Sequence, residues 1–388
     1  MSRTGREHPS RASVVVIGGG VMGVSTAYQL AAAGVPDVVL VDKDALGSGS
    51  TCKAAGGVRA QFSDRLNVEL GARGMEVFGN FEALFDQRID LHRVGYLFLL
   101  DSAADVETFE QNIALQNELG VPGRMIDVDE AKRLSPLIET DGLLAAAYSP
   151  DAGHCTPESV VLGYASAARR HGARLLTSCA ATGIDVDAGQ VRAVRTEGGR
   201  IECDAVICTA GAWSQQVGAW AGVELPVTPL RRQIVITEAM PDLPPDVAFT
   251  IEFSSSFYFH GEGNGLLIGM SDPDETTGFK LDRTEDWLPR LGEAMQRRAP
   301  TLTDVGLASG WAGLYEMTPD HNGLIGEAAD VDRFLYATGF SGHGFLMGPA
   351  VGEVMRDLYL GNRPFTDISG LDADRFLGSA LRPETSIV

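Results

Sequence analysis

The sequence predicts an α/β + α+β architecture: a Rossmann-type nucleotide-binding domain, interleaved with a second domain built on a mostly antiparallel sheet. Three observations predict it. A complete strand–helix–strand unit with a glycine-rich turn opens the chain. A strand-rich stretch runs from Pro226 to Trp311. Buried strand and a second glycine-rich turn then return between Asp320 and Gly361. At 388 residues the chain is too long for one simple core, and two domains are expected.

The first sixty residues carry the strongest signal. Val14-Val15-Val16-Ile17 is a continuous β-branched run, the pattern of a strand buried on both faces of a parallel sheet. Gly18-Gly19-Gly20-Val21-Met22-Gly23 comes next, then VSTAYQLAAAG at helical spacing, stopping at Gly34. Val38-Val39-Leu40-Val41 is a second buried strand and ends in Asp42. In this G-x-G-x-x-G unit Gly18 permits the tight turn, Gly20 lets the backbone approach a pyrophosphate, and Gly23 lets helix pack on strand. The helix N-terminus offers N–H groups and a partial positive charge to the phosphates. Asp42 lies 19 positions after Gly23, where an acid can bond a ribose 2′-hydroxyl and would repel the 2′-phosphate of NADP. The stretch beyond Asp42 separates FAD from NAD. An NAD dehydrogenase usually begins its next strand–helix repeat soon after this acid. Here a small-residue loop, Gly47 to Gly57, leads to Arg59 and can lie along an extended cofactor.

Later segments supply the remaining elements. Residues 63–80 read as a helix, residues 104–135 as amphipathic helices broken near Gly120-Val121-Pro122, and a long helix starts after Pro157. Residues 182–186, 190–195 and 200–204 alternate and predict a small antiparallel meander, with Ala205 to Gly211 a separate buried strand. QIVITE, FYFHG and GLLIGMS are strands of the second domain. Phe334 to Ala337 is a strand that feeds the turn Thr338–Gly344, with a final helix expected from about Gly348.

Composition narrows the function classes. Lys and Arg number 31 against 52 Asp and Glu, a net charge of −21, which disfavours nucleic acid and anionic lipid as partners. No apolar run approaches a membrane span. MSRTGREHPSRAS lacks the apolar centre of a signal peptide and reads as a loose tail. The five cysteines (Cys52, Cys155, Cys179, Cys203 and Cys208) are odd in number and include no C-x-x-C pair. Neither a disulfide framework nor a metal site is expected, which fits a cytoplasmic protein. Cys52 lies just after the Gly/Ser loop and is reactive or inert according to whether a base lies beside it.

VIGGGVMGVSTAYQLAAAG, GSGSTCKAAGGVRAQFSD, VICTAGAWS, TPDHNGLIG and YATGFSGHGFLMGPAVGEV occur in that order. The sequence thereby resembles the D-amino-acid-oxidase-like superfamily of FAD-dependent oxidoreductases, nearest in type to the beta subunits of sarcosine oxidase and proline dehydrogenase. The resemblance implies an FAD-binding domain from residues 12–85, 150–225 and 318–388, and a substrate-binding domain from 86–149 and 226–317. It implies oxidation of the C–N bond of a small secondary or tertiary amine or amino acid, N-methyl or cyclic, to an imine. FAD is expected to meet Val21 and Met22 at the first turn and Lys43 beside Asp42. In the loop it would meet Gly49, Ser50, Thr51, Ala55, Gly56 and Gly57. Farther along, Ala181, Ala210, Gly211, Trp213 and Gly313 are cofactor candidates. In the second glycine turn the candidates are Gly339, Gly342, His343, Gly344, Phe345 and Leu346.

The catalytic candidates are Arg59, His343, Tyr258 and His260. Arg59 matches an arginine beside the flavin, and would bind a substrate carboxylate or stabilise reduced flavin; an ordinary surface arginine is the alternative. His343 either faces the ring or caps the turn. Tyr258 and His260 lie two residues apart and share one side of a strand, with core packing or solvent exposure as the competing readings. The sequence also departs from monomeric sarcosine oxidase. Leu267 stands where a lysine promotes reaction with oxygen, and Leu346 where a lysine holds the substrate carboxylate. GWAGLYEMTPD lacks the cysteine that tethers FAD, so non-covalent FAD and a more apolar pocket are expected. A homo-oligomer, a hetero-oligomeric electron-transfer partner, or a subunit inactive without its partner are further alternatives. An NAD-dependent dehydrogenase is the alternative from another cofactor class.

Overall fold

The strand Arg11–Ile17 lies inside the first of two 8-stranded sheets and is buried on both faces. Val14 and Val16 face the core that holds Val24 and Leu30, whereas Val15 and Ile17 face the core that holds Val217 and Leu225. That two-sided burial is what a continuous β-branched run predicts. The computed structural model describes residues 8–378 and 381–386. Six strands of the first sheet run in the order Leu324–Glu327, Phe334–Thr338, Gly199–Cys208, Arg11–Ile17, Val38–Val41 and Arg174–Leu176. All neighbours are parallel except the first two. The antiparallel ribbon Ala181–Asp187 and Gln190–Thr196 hangs from Gly199–Cys208.

The second sheet runs Leu307–Met317, Thr228–Thr237, Gly265–Met270, Phe257–Glu262, Phe249–Glu252, Tyr96–Leu100, Ala145–Ser149 and Arg124–Ile126. It is antiparallel except where Phe249–Glu252 pairs with Tyr96–Leu100. The helix Leu288–Arg298 packs Leu291, Ala294 and Met295 into this sheet's core with Leu97, Phe259 and Ile268. Its last turn is fastened to the sheet by the fully buried Glu252, which accepts from Arg297 at 2.6 Å and Arg298 at 2.8 Å.

Four expectations are corrected. Residues 1–7 of the expected loose tail lie outside the described residues, but His8 bonds Thr196 at 3.0 Å and the first strand starts at Arg11. The tail's end is thus docked against the ribbon. Residues 200–204 and 205–208 form one strand, Gly199–Cys208. Its alternation stops where its partner changes from the solvated ribbon to the buried Phe334–Thr338. An edge strand, Arg124–Ile126, separates the helices Ala103–Glu118 and Val128–Leu134. The final helix spans Gly344–Leu360, a turn earlier than Gly348. Pro349 sits inside it, where a missing N–H forfeits a single bond to the carbonyl four residues back.

Candidate functional site

The turn between Ile17 and Val21 is shaped by contacts that leave no room for side chains. Gly18 adopts φ +110°, and a Cβ there would lie 2.4 Å from the Thr209 carbonyl oxygen. A Cβ on Gly23 would lie 1.8 Å from the Gly18 carbonyl oxygen, so Gly23 serves close helix–strand packing and does not line the cavity. The Val21 N–H donates to the Thr51 hydroxyl at 3.0 Å, which pins the small-residue loop to the helix N-terminus. Asp42 accepts from the Gly19 N–H at 2.6 Å and the Asp44 N–H at 2.8 Å. Burial raises its pKa, and these bonds oppose the rise.

From this turn a cavity of about 760 Å³ runs between the sheets to the second glycine turn. Gly18, Gly20, Val21, Met22, Asp42 and Lys43 line one end. Gly49, Ser50, Thr51, Ala55, Gly56 and Gly57 form one wall, and Ser50 donates to the Leu314 carbonyl at 2.6 Å. Ala181, Ala210, Gly211, Trp213 and Gly313 continue it, with the Lys43 ammonium 4.6 Å from the Trp213 ring centre. Gly342, His343, Gly344, Phe345 and Leu346 close the far end. Gly339 lies outside it; a Cβ there would meet Thr318 at 2.5 Å, and the residue shapes the turn instead.

The far end holds the chemistry-bearing side chains. Arg59 is buried in an aromatic cage, its guanidinium carbon 4.4 Å from the Phe62 ring centre, 5.3 Å from Phe98 and 5.8 Å from Tyr96. It donates to the carbonyls of Gln61 and, at 2.7 Å, of Ser386, so it is not a surface arginine. Ser386 belongs to a C-terminal segment anchored by Glu384, whose buried carboxylate accepts from the Ser63 hydroxyl at 2.6 Å and the Asn67 amide at 2.9 Å. These bonds hold the Glu384 pKa below its ordinary value against the effect of burial.

His343 is buried, makes no side-chain cap bond, and leaves Nε2 without a partner. Burial drives its pKa down to about 3, so the imidazole is neutral near pH 7. Tyr258 lies over Gly269, where a Cβ would be 2.2 Å from its ring, and reaches the cavity. His260 does not. It shares the Phe249 face with Tyr258 but bonds the Ala55 carbonyl through Nε2 at 2.9 Å and packs on His154 at 4.1 Å. Leu267 likewise turns away, into a separate cavity of about 310 Å³ that Cys52 also lines. Burial pushes the Cys52 thiol up to about 12, an inert setting. Among the described residues no cysteine lines the large cavity.

Tyr96, Arg232, Phe249, Ile251 and Tyr315 also line the cavity, and sequence reasoning missed them all. Strand alternation was the available signal: Arg232 and Ile234 share a face, as do Phe249 and Ile251. The set fits FAD. The glycine turn excludes side chains along a pyrophosphate path, Asp42 stands at the ribose end, and the cavity is continuous to His343, whose Nε2 is orphaned. Asp42, Thr51, the loop Gly49–Gly57 and the turn Gly342–Leu346 would hold it.

Among the described residues no helix is long and apolar enough to cross a membrane. Residues 13–358 match the DAO family, FAD dependent oxidoreductase. Mitochondrial sarcosine dehydrogenase of Mus musculus is 30% identical over 390 residues, covering 95% of this chain and 42% of that protein. The 4-methylaminobutanoate oxidase (formaldehyde-forming) of Paenarthrobacter nicotinovorans is 27% identical over 381 residues, covering 95% of this chain and 46% of that protein. The chain thus spans less than half the length of these curated relatives. The crystal structure of L-proline dehydrogenase from P. horikoshii superimposes with a TM-score of 0.91 at 32% identity, covering 97% of this chain and all of that one.

Proposed function

Because the chain belongs to the FAD-dependent oxidoreductase family, we propose that it oxidises the C–N bond of a small secondary amine or amino acid, a cyclic imino acid such as proline being favoured. Membership removes the nicotinamide alternative. One observation carries the reading: a single cavity joins the Gly18–Gly23 turn to a compartment walled by Arg59, Tyr96, Tyr258 and His343.

Bound FAD would supply the two-electron acceptor for the hydride on the carbon beside the amine nitrogen; with the nitrogen's proton also lost, the product would be an imine open to hydrolysis. The chain's own residues prepare that event. The backbone at Gly342 and Gly344 permits close approach of a flat ring. The helix Gly344–Leu360 opens its N-terminus on the cavity, where its positive end would favour a reduced, negatively charged ring. Tyr96, Phe249 and Tyr258 wall the substrate compartment and exclude water. Neutral His343 adds no positive charge beside a substrate that must react as the free amine. Arg59, caged by rings and tied to two carbonyls, is a fixed positive charge at this end. Leu346 keeps the pocket apolar, which supports a ring substrate over a small polar amine.

Non-covalent FAD is supported by the lack of a cysteine among the described residues lining the cavity. Cytoplasmic residence is supported by five free cysteines. A homo-oligomer, or a partner subunit that takes the electrons onward, completes the reading. The test is an anaerobic screen of N-methyl and cyclic amino acids for bleaching of the yellow flavin, repeated in air with peroxide detection. Bleaching by proline or a close analogue is expected. A folded, FAD-loaded protein that no amine bleaches, even beside its partner, ends the proposal.

A further inference from the structure

Arg232 is the anomaly of the cavity. It sits on the strand Thr228–Thr237, and its guanidinium carbon lies 5.2 Å from the Tyr315 ring centre. Its bond to the backbone is a long one, from Nη1 to the Arg231 carbonyl at 3.2 Å. Its Nε is buried without a partner, and among the described residues no carboxylate pairs with it. In a chain with a net charge of −21 acids are plentiful, so an unpaired arginine facing a cavity needs an explanation. Arg231, its neighbour on the opposite face, has found one: it pairs with Glu275 at 2.6 Å.

Arg59, the sequence's candidate for a substrate carboxylate, is poorly placed for that work. Each Nη has given one of its two N–H groups to a carbonyl, of Gln61 and of Ser386, which fixes the fork's orientation, and aromatic rings lie around its plane. A planar guanidinium offers a carboxylate a two-pronged grip only through donors that are still open. A partnerless buried donor is itself costly, and a ligand acceptor relieves that cost.

We infer that Arg232, not Arg59, receives the carboxylate of the substrate. Arg59 keeps the charge that faces the reacting end. The inference rests on the proposed oxidation only for the identity of the reaction. The carboxylate site stands or falls by itself.

The test uses the FAD-loaded protein and cyclopentanecarboxylate, which has the ring and the carboxylate of proline but no oxidisable C–N bond. Calorimetry measures its affinity for the parent, R232Q, R232K and R59K; cyclopentanecarboxamide is the neutral control. R232Q is expected to weaken cyclopentanecarboxylate about 10- to 100-fold, the scale of one or two charge-assisted hydrogen bonds. R232K, which keeps the charge and loses the fork, is expected to weaken it several-fold. Should R232Q fail to fold, R232K alone decides, and unchanged affinity there overturns the inference. In steady state the preference for proline over pyrrolidine, as a ratio of kcat/KM, is expected to fall by the same factor in R232Q. Full affinity in R232Q, loss only in R59K, or equal binding of acid and amide by the parent overturns the assignment. Carboxylate binding that depends on Arg232, with no amine reducing the flavin, upholds this inference and sinks the oxidative one.

Discussion

Gly23 packs against the Gly18 carbonyl with no space for a methyl group. G23A is expected to cost about 1–3 kcal/mol of stability, the price of overpacking, and to release FAD; thermal melting and flavin content of the purified variant check both. Asp42 works differently, through the hydrogen bonds its carboxylate accepts. D42A is expected to weaken FAD retention roughly tenfold or more, the scale of a hydrogen bond to a charged group, and to lower the melting temperature as well, since the Gly19 and Asp44 N–H groups lose their acceptor. An unchanged dissociation constant for FAD would put the ribose elsewhere. At this scale the motif residues were legible because the turn's sterics permit only glycine. Arg232 was not. The pair Arg231-Arg232 reads identically in sequence, and strand alternation says that the two face apart without saying which faces the cavity. His260 differs again: it shares the Tyr258 face as strand alternation says, but the Ala55 carbonyl holds its ring away from the cavity, a contact no local pattern announces.

The helices Val21–Ala32 and Gly344–Leu360 approach each other through small residues. A Cβ on Gly352 would lie 2.8 Å from the Ser25 hydroxyl, and Ser25 donates to the Gly348 carbonyl at 2.8 Å. Both helices point their N-termini at the cavity, so their crossing sets the distance between the two glycine turns. G352V is expected to destabilise the protein by about 1–3 kcal/mol and to loosen FAD; denaturant unfolding with and without added FAD separates the two effects. In the other sheet Glu252 holds both Arg297 and Arg298 while fully buried, and its pKa stays below the ordinary value despite the desolvation. E252Q leaves Arg298 buried without its counter-charge and is expected to cost about 3–5 kcal/mol, read as a lowered urea midpoint. Helices and buried strands were legible as periodicities. Their ends were not: the start of Gly344–Leu360 and the fusion of residues 199–208 into one strand depend on neighbours far along the chain, which periodicity does not see.

Three buried histidines link the molecule's stability to pH. Burial lowers the pKa of His343 to about 3, that of His260 to about 4 and that of His154 further still, all from an ordinary 6.5. The unfolded chain therefore takes up these protons before the fold does. Stability is intact above about pH 6.5 and is lost progressively as pH falls through the window down to about 3 and below. A melting temperature that stays flat from pH 7 to 5 would contradict this, and H154N is expected to reduce the slope. The interleaving of the two sheets was legible because strand-rich and glycine-rich segments alternate along the chain, whereas the cage around Arg59 was not, since it draws on Gln61, Phe98 and a carbonyl more than three hundred positions away. The segment Arg382–Ser386 behaves as a keystone: Asn322 grips its start at 2.5 Å, Glu384 locks its middle, and its final carbonyl steadies Arg59. A strain that displaces this segment would travel along the backbone carbonyl of Ser386 to the buried guanidinium of Arg59.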